Sequence, residues 1–518
     1  MIYVIPNLWR LSRVVSTFAR TGALKKVLEE VEAPSRLVVP LKAFGAIVSP
    51  FGAKGNPSLP PVARAVNALG PAYIKFGQIM STRADIIGPE LARDMRHLQD
   101  KLPDFSMAEA RRAIRDDLDK DADELFETFD PPIAAASIAQ VHPAITKDTG
   151  EKVAVKILRP GVEKQFRKDI RAFYMCAWVL ERIAPNADRL RPRAVVDHFN
   201  GVVTAEMDLR LEASAASEFY DNVADDPAFQ VPEVVWHMSG RRVMTATWME
   251  GVSLSDQDAL IAAGHDLPKL ADRLIQTFLF QALRDGYWHA DMHQGNLKVA
   301  ANGDILAVDF GIMGRIDKLT RRYYAEILLG FLRRDYRRVA EVHFEAGYVP
   351  RDKSVDAFAQ ALRAVGEPIF GRDAKGISIA RLLSHLFEVT ERFGMQTQTQ
   401  LILLQRSMVV VEGVARTLSP DSNIYESARP VVEDWIKDNL GPRAIARESQ
   451  AALKTLSRIG PRLPELAERL VVAAERQQDE TPEPDDPPSR WPYVVVGAIA
   501  GAAITMILSG QNHMAQLF

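Results

Sequence analysis

A few polar side chains in a fixed order constrain this chain more than any other feature of its sequence. The run KVAVKIL, residues 152–158, is an apolar strand pattern that carries Lys156 inside it. A lysine seldom lies within such a strand unless it is paired or holds an anion. Further along, Asp291 precedes Asn296 by five positions, and Asp309 opens the tripeptide Asp-Phe-Gly. We therefore expect these side chains to meet in one site.

This order is the catalytic arrangement of protein kinases, in which Asp and Asn are five positions apart and Asp-Phe-Gly follows about a dozen positions later. Phosphoryl transfer needs a carboxylate that orients the attacking group and oxygen ligands for the Mg²⁺ that bridges the phosphates. We assign Asp291 the first role, and Asn296 and Asp309 the second. The sequence thus predicts ATP and Mg²⁺ as cofactors.

A transition-metal site is an alternative for the same loop, which also contains His289 and His293. That alternative leaves Lys156 and the Asp-Phe-Gly tripeptide without a role. The phosphoryl-transfer interpretation accounts for all of them.

Small residues upstream of Lys156 stand where a kinase has its Gly-rich loop, with alanines in place of glycines. Small side chains would let backbone N–H groups approach phosphates closely. Alone, an alanine run also suits the start of a helix or a tight strand turn, and its meaning comes from the lysine that follows. The predicted nucleotide-binding residues of this alanine-rich loop are Ala134, Ala135, Ala136, Ser137, Ile138, Ala139, Gln140 and Val141.

The segment after Asp-Phe-Gly lacks the peptide platform of a protein kinase. Residues 314–317 lead directly into a helical pattern from Leu319 to Leu332, and no Ala-Pro-Glu motif is present. The sequence therefore favours a small-molecule or lipid substrate, or ATP hydrolysis alone.

A distinctive helix pattern precedes the kinase-like segment. Pro71 stands at a predicted helix N1 position, and Lys75 and Gln78 fall on one face three residues apart. A solvated amphipathic helix would show the same spacing. The sequence Lys75-Phe-Gly-Gln78, however, resembles the Lys-x-Gly-Gln motif of the UbiB family of atypical kinases. The resemblance extends from about residue 40 through Asp434.

The resemblance implies an α+β, bilobal, protein-kinase-like fold. Its parts are a small antiparallel sheet lobe, a large helical lobe, an added N-terminal helical lid that covers the active site and a C-terminal hydrophobic helix. Glu206 and Asp208 would meet the face of Lys75, and Glu212 (or Glu206) would pair with Lys156. On this basis Ala135→Gly and Lys75→His are each expected to change nucleotide handling.

The implied function is ATPase or small-molecule kinase activity that supports ubiquinone biosynthesis at the membrane. Its implied partners are adenine nucleotide, membrane lipid or quinone intermediates, and other ubiquinone-biosynthesis proteins. The catalytic loop departs from the family pattern at Met292 and Gln294, which replace prolines. Two alternatives stay open: a protein kinase acting on a membrane-associated partner, and a non-catalytic nucleotide-sensing scaffold.

Charge and cysteine content restrict the partners and the compartment. A formal net charge of −3 argues against a nucleic-acid binder. The single cysteine, Cys176, suits a reducing compartment, and the N-terminus shows no secretory signal. We expect the main body to be cytoplasmic.

The C-terminal segment predicts a membrane anchor. An acidic, Pro-rich linker, 476–490, precedes an apolar stretch, 493–508, without charge. Arg490 lies on the upstream side and no Lys or Arg follows, so the positive-inside rule puts the main body in the cytoplasm. The anchor is expected in the cell inner membrane as a single span. Gly497 and Gly501 suit a helix–helix contact, and hence a homodimer through the tail. A buried core helix is the alternative.

The N-terminal segment is basic and amphipathic, with Leu11, Val15 and Phe18 at helical spacing. Such a helix lies in a bilayer interface or packs on its own domain. The predicted organisation is 1–30 basic amphipathic segment, 31–125 helical lid, 126–250 N-lobe with inserted helices, 251–440 helical C-lobe, 441–475 C-terminal helices, 476–490 linker and 491–510 transmembrane helix.

Overall fold

The computed structural model describes residues 4–30, 35–81, 87–98, 103–183, 191–226, 228–370, 389, 392–395 and 398–441. The chain divides into two units, 1–433 and 434–518. The second unit contains described residues only at 434–441. The sheets and the apolar clusters that position the site belong to the first unit.

Helices make up most of the described chain, and short strands interrupt them in two regions. The helices are α1 (Val4–Thr21), α2 (Ala23–Glu30), α3 (Ser35–Val48), α4 (Pro61–Leu69), α5 (Pro71–Ser81), α6 (Pro89–Met95), α7 (Met107–Leu118), α8 (Ala122–Leu125), α9 (Val162–Ile183), α10 (Pro192–Glu206), α11 (Leu209–Val223), α12 (Gln257–Ala262), α13 (Leu267–Phe280), α14 (Lys318–Arg333), α15 (Tyr336–Glu345), α16 (Val355–Phe370), α17 (Thr399–Leu418) and α18 (Ile424–Leu440). The strands are β1 (Phe126–Phe129), β2 (Ala134–Ala135), β3 (Ala139–Thr146), β4 (Lys152–Leu158), β5 (Phe229–Gln230), β6 (Val243–Thr247), β7 (Val252–Ser253), β8 (Tyr287–His289), β9 (Leu297–Val299), β10 (Ile305–Ala307) and β11 (Met313–Arg315).

The N-lobe sheet explains how a lysine lies inside an apolar strand. It is antiparallel, in the order β1-β3-β4-β6, with β2 paired to β3. Side chains alternate between its faces, so Val153, Val155 and Ile157 enter a buried core with α7 and α8. Lys156 therefore emerges on the opposite face, where Val141 of β3 stands directly across from it.

A second core joins helices that are far apart in sequence. Helices α2, α4, α5, α6, α9 and α10 share one apolar cluster, against which α1 packs through Val14 and Phe18. We call this group, including α1, the helical layer. Phe76 of α5 lies against Phe173 of α9 and Phe199 of α10, with ring centroids 5.0 and 5.3 Å away. Helix α5 begins at Pro71, as the sequence predicts.

The two buried cores do not follow the domain boundaries predicted from the sequence. The predicted lid, 31–125, includes α7 and α8, which instead pack under the N-lobe sheet. The predicted N-lobe insertion includes α9 and α10, which instead complete the helical layer. Side chains from distant segments bury each other's apolar faces, and a linear map does not show which segments do so.

The C-lobe is mainly helical, with two small sheets. One sheet has the order β5-β10-β9-β7, and β8 pairs with β11. Helix α17 packs along α13, and α15 and α16 share a buried cluster around Phe358. Small antiparallel pairings in a largely helical chain confirm the predicted bilobal, mixed fold.

Both membrane predictions concern the ends of the chain. The predicted span 491–510, with Gly497 and Gly501, lies outside the described residues. Within the described ranges, we find no helix that combines the length and apolar character needed to cross a bilayer. For α1, the structure favours packing on its own domain, since Val14 and Phe18 lie against the core of the helical layer.

Candidate active site

Lys156 joins both lobes through two carboxylates. Its ammonium Nζ lies 2.5 Å from Glu212 Oε1 on α11 and 3.0 Å from Asp309 Oδ2 after β10. The side chains of Lys156 and Glu212 are 20% and 12% exposed, whereas that of Asp309 is 44% exposed. Of the two glutamates predicted as partners for Lys156, Glu212 makes the contact. Asp309 is thus the most exposed of the three side chains, and we call the region around them the cleft.

The charges of this group depend on one another. Burial opposes the charge on Lys156, but the carboxylates of Asp309 and Glu212 outweigh it and raise the pKa of the ammonium. For Asp309, burial acts against ionisation, while Lys156 and the Gly311 N–H lower the pKa of its carboxyl well below the usual range. Burial raises the pKa of Glu212, which Lys156 only partly offsets. A cation next to Asp309 would therefore meet an ionised carboxylate.

The catalytic loop is folded by its own polar side chains. His293 Nδ1 accepts a hydrogen bond of 2.9 Å from Gly295 N and so begins a 3-10 turn over residues 294–296. Asn296 Nδ2 then donates to the Asp291 carbonyl at 3.1 Å. The Asn296 carbonyl accepts from Val308 N at 3.1 Å, next to Asp309. Three of the predicted site residues, Asp291, Asn296 and Asp309, are thereby brought to one edge of the cleft.

His289 connects the two loops of the site, a role that sequence reasoning missed. Its Nδ1 accepts from Asp291 N at 3.1 Å, while its Nε2 lies against the carbonyl oxygen of Asp309. A ring that accepts at Nδ1 and donates at Nε2 is neutral. Burial lowers the pKa of His289, which agrees with that state. The signal was present in the sequence as a histidine two positions before the catalytic aspartate.

An aromatic cluster holds the glutamate helix against the catalytic loops. Phe219 lies on α11, two turns after Glu212, and its ring centroid is 6.0 Å from Phe310 and 6.4 Å from His289. Phe310 and His289 are 5.7 Å apart. Because Phe310 follows Asp309 directly, the apolar contact fixes α11 relative to the Asp-Phe-Gly segment.

The alanine-rich loop is a tight hairpin. Ala135 pairs with Gln140 between β2 and β3, and Ala136 N donates to the Ala139 carbonyl at 2.7 Å. The Gln140 side chain lies on the face opposite Lys156 and bonds the Phe105 backbone, with Phe105 N donating to Oε1 at 3.0 Å. Ile138, at the tip, packs against the core of the helical layer. The Val141 side chain thus lies on the sheet face that carries Lys156, while the side chains of Gln140 and Ile138 serve packing.

The Lys-x-Gly-Gln helix is tied to the end of α10. Lys75 Nζ lies 3.1 Å from Glu206 Oε2, with the two side chains 19% and 17% exposed. This is the predicted meeting of Glu206 with the face of Lys75. Asp208 caps α11, accepting from Arg210 N at 3.2 Å and binding the Arg210 guanidinium at 2.7 Å. Gln78, one turn beyond Lys75, is half-buried.

Helix α17 also supports the catalytic loop, which sequence reasoning did not anticipate. Ser407 accepts from Trp288 Nε1 at 3.2 Å and donates to the Ala290 carbonyl at 3.3 Å. Gly314 of β11 lies so close to Trp288 that an added Cβ would be 2.1 Å from the indole ring. No sequence spacing links Ser407 to the loop more than a hundred positions earlier.

The donor set at the cleft edge fits Mg²⁺. Asp309 offers an ionised, partly exposed carboxylate, and Asn296 has its amide nitrogen committed to the Asp291 carbonyl, so its amide oxygen is the atom left for a cation. Mg²⁺ prefers oxygen ligands and keeps waters and phosphate oxygens in its shell, so two protein ligands are sufficient. Among the residues that the structure describes, no group of three or more His, Cys, Asp or Glu side chains is arranged to hold a metal by itself.

The strand lysine, its helix glutamate, the catalytic loop and the Asp-Phe-Gly segment together define a protein-kinase-like protein. Comparison with known proteins agrees. Residues 97–343 match the ABC1 atypical kinase-like domain, and residues 362–423 match the UbiB helical domain. The chain belongs to the UbiB family of atypical kinase-like proteins.

Two relatives illustrate the match. The chain is 38% identical over 468 residues to the probable protein kinase UbiB of Marinobacter nauticus, covering 89% of this chain and 84% of that protein. It also resembles Rv3197 of Mycobacterium tuberculosis, solved in complex with erythromycin, at 27% identity and a TM-score of 0.50. That alignment covers 64% of this chain and 83% of the solved chain.

Proposed function

We propose that this chain binds ATP and Mg²⁺ and acts as an ATPase or small-molecule kinase that supports ubiquinone biosynthesis at the membrane. The observation that carries the proposal is the contact of Lys156 with both Glu212 and Asp309. A lysine held by a helix glutamate beside the metal-binding aspartate is the arrangement that positions ATP phosphates in kinases.

Each residue then has a chemical task. Glu212 holds Lys156 so that the ammonium faces the cleft, where phosphate oxygens would compete with Asp309 for it. Asn296 and Asp309 would hold Mg²⁺, which neutralises charge on the phosphates when bound. Asp291 would orient the attacking hydroxyl or water and take its proton.

His289 would keep these tasks coordinated. As a neutral ring it accepts from the Asp291 backbone and faces the Asp309 carbonyl, so the proton-accepting and metal-binding residues keep a fixed separation. A rigid separation of this kind supports catalysis because the site does not have to reorganise during the reaction.

The position at which α14 begins supports a small molecule or water as the phosphoryl acceptor. This helix begins at Lys318, only a few residues after Gly311, and all residues of that interval are described. No peptide platform fits between them, as the sequence predicts. The family relationship to a probable protein kinase UbiB supports a role in ubiquinone biosynthesis.

The test is Asp309→Asn in the full-length chain, which should abolish Mg²⁺-dependent ATP turnover and leave the fold intact. Asp304→Asn is the matched control, because Asp304 lies on the adjacent β9–β10 turn and bonds Gln230 and Asn302. Cells that carry Asp309→Asn should accumulate quinone intermediates, whereas the control should not. Wild-type turnover in Asp309→Asn would overturn the catalytic assignment.

A further inference from the structure

Helix α3 turns its large apolar side chains outward. Val39 is 68% exposed, Phe44 48% and Ile47 73%, and Phe51, in the turn after the helix, is 85% exposed. Pro40, Ala43 and Ala46 lie on the same side of the helix and are also exposed. A surface helix ordinarily buries its large apolar residues and exposes its polar ones. Helix α3 is apolar on its exposed side as well as on its buried side.

The inner side of α3 approaches its neighbours closely. Helix α3 packs on α1 and α2, and Gly45 is buried there, with Val38, Leu41 and Val48 half-buried on the same side. A Cβ added to Gly45 would lie 2.8 Å from the side chain of Leu24 and 3.3 Å from that of Ala19. The close approach needs a glycine, so the side of α3 that carries Val39, Phe44 and Ile47 faces away from the protein.

Phe51 is held in its exposed position by the chain around it. The Arg20 guanidinium donates to the carbonyls of Pro50 and Gly52 at 2.8 and 2.6 Å. Gly52 lies against α1 so closely that an added Cβ would be 2.2 Å from the Ser16 carbonyl oxygen. Ala53 N donates to Thr17 Oγ1 at 3.2 Å. Phe51 is therefore a fixed projection from the surface.

The segment that carries this face is basic, which favours an anionic partner. No Asp or Glu occurs between Glu32 and Asp85, although six lysines and arginines do. Residues 1–84 contain eleven lysines and arginines against three glutamates, in a chain whose formal net charge is −3. Lys42 and Lys54 are exposed beside the apolar side chains. Apolar residues bordered by basic ones are characteristic of surfaces that enter the headgroup region of anionic bilayers.

We propose that the α3 face, formed by Val39, Phe44, Ile47 and Phe51, docks on a bilayer that contains anionic phospholipids. This contact is separate from the predicted anchor at 491–510 and from the cleft. An anchor by itself would leave the folded unit free to rotate, whereas a second contact of this kind would fix which side of the helical layer faces lipid.

The test locates Ile47 relative to lipid in the full-length chain. Cys176→Ser with Ile47→Cys gives one labelling site for an environment-sensitive fluorophore, and Cys176→Ser with Ile402→Cys is the control. Ile402 is 49% exposed on α17, so it matches Ile47 in type but not in position. The vesicles contain phosphatidylcholine with phosphatidylglycerol and a lipid-borne quencher.

The label at 47 should shift to shorter wavelength and be quenched, while the label at 402 should not. An anchor brings both labels near the membrane, but only a docked residue reaches the quencher. Equal behaviour of the two labels on vesicle-bound protein would overturn the proposal. Cross-linking between two labels at 47, without quenching, would assign the face to a second copy instead. Equal quenching in phosphatidylcholine alone would overturn the requirement for anionic lipid.

A second pair of variants tests the energetics. Ile47→Asp with Phe51→Asp, read out through a label at position 44 (Phe44→Cys with Cys176→Ser), should reduce quenching at least about tenfold, because two apolar side chains no longer enter the bilayer. Ile402→Asp should leave quenching unchanged. ATP turnover in detergent should be the same in all of these proteins, so failure of the docking proposal is distinguishable from failure of the catalytic one.

Discussion

Two lysine–glutamate pairs, one in the cleft and one in the helical layer, have similar burial but different surroundings. Lys156 and Glu212 are 20% and 12% exposed, and Lys75 and Glu206 are 19% and 17% exposed. The cleft pair has Asp309 as a second carboxylate beside the lysine. It therefore contains one cation and two acidic groups, whereas Lys75 and Glu206 join α5 to the end of α10.

The difference separates a binding site from a structural contact. A surplus carboxylate in a partly exposed cleft favours the binding of Mg²⁺. The lysine beside it can release that carboxylate and bind a phosphate oxygen instead. The Lys75–Glu206 contact instead lies between two helices of the helical layer, away from the Asp-Phe-Gly segment. Only seven residues, 206–212, contain both glutamates, and Asp208 between them caps α11. The two pairs are thus close in sequence although they belong to different parts of the fold.

The largest expected effect is the difference in ATP turnover between a Lys156 variant and a Lys75 variant. Lys156→Met should lower ATP turnover at least about a hundredfold, because a preorganised cation is lost from the phosphate site. It should also destabilise the fold by about 3 kcal/mol, since two acidic groups are left beside each other. Lys75→Met should destabilise by a similar amount, but it should change turnover per folded molecule much less than Lys156→Met does. Steady-state turnover and thermal unfolding of both variants measure this, and equal loss of turnover would remove the distinction.

Exchanging the two charges within each pair tests whether their mutual attraction is enough for the role of that pair. Lys75→Glu with Glu206→Lys should recover about half of the stability that either single change costs, because the two charges still attract. Lys156→Glu with Glu212→Lys should recover no turnover, because the cation would then stand on α11 instead of β4. Unfolding midpoints and turnover of the single and double variants give both answers. Recovery of turnover by the second exchange would contradict the assigned role of Lys156.

The tip of the alanine-rich loop should show a smaller effect. Ile138→Ala should destabilise by about 1–2 kcal/mol and weaken nucleotide binding severalfold, because the tip loses its contact with the helical layer. Ile133→Ala is the matched control, since Ile133 precedes the same hairpin and is 60% exposed. It should change stability by less than about 0.5 kcal/mol. Thermal unfolding and nucleotide titration distinguish the two, and identical effects would show that Ile138 has no special contact.

Acid pH should produce the smallest effect, through His289. Burial lowers the pKa of His289 in the folded protein, so below the ordinary value of about 6.5 the unfolded chain binds a proton that the folded chain does not. This contribution to stability is therefore lost progressively as the pH falls below about 6.5 towards 5. His289→Gln should be less stable at pH 7 but lose less on acidification. Unfolding midpoints at both pH values test this, and parallel losses would show that His289 titrates normally in the fold.

The catalytic residues could be predicted because their order along the chain is itself the signal. Lys156, Asp291, Asn296 and Asp309 occupy spacings that few other sites share, and the strand around Lys156 is short and apolar. Choosing between Glu206 and Glu212 needed the structure, since Glu206 ends α10, Glu212 lies in the first turn of α11, and only the placement of these two helices decides. The alternation of β3, which turns Gln140 away from Lys156, is visible only once the strand is placed.

Other features depend on contacts between distant segments. Ser407 supports the catalytic loop from α17, and α9 and α10 join the helical layer across the N-lobe. Burial of apolar surface is nondirectional, so a sequence shows which face of a helix is apolar but not which neighbour covers it. In the same way, the sequence of helix α3 does not show which of its sides is exposed. Its outward apolar face is recognisable only after Gly45 is seen to face inward.

The short interval between Asp309 and α14 has a consequence for regulation. Many kinases are switched on when phosphorylation orders a long segment after Asp-Phe-Gly. In this chain β11 and the N-cap Asp317, whose carboxylate accepts from Leu319 N and Thr320 N, use nearly all of that interval. A phosphate added there would find no disordered segment to order. Control over this site would therefore have to act through the elements that hold its side chains, such as α11, which carries Glu212.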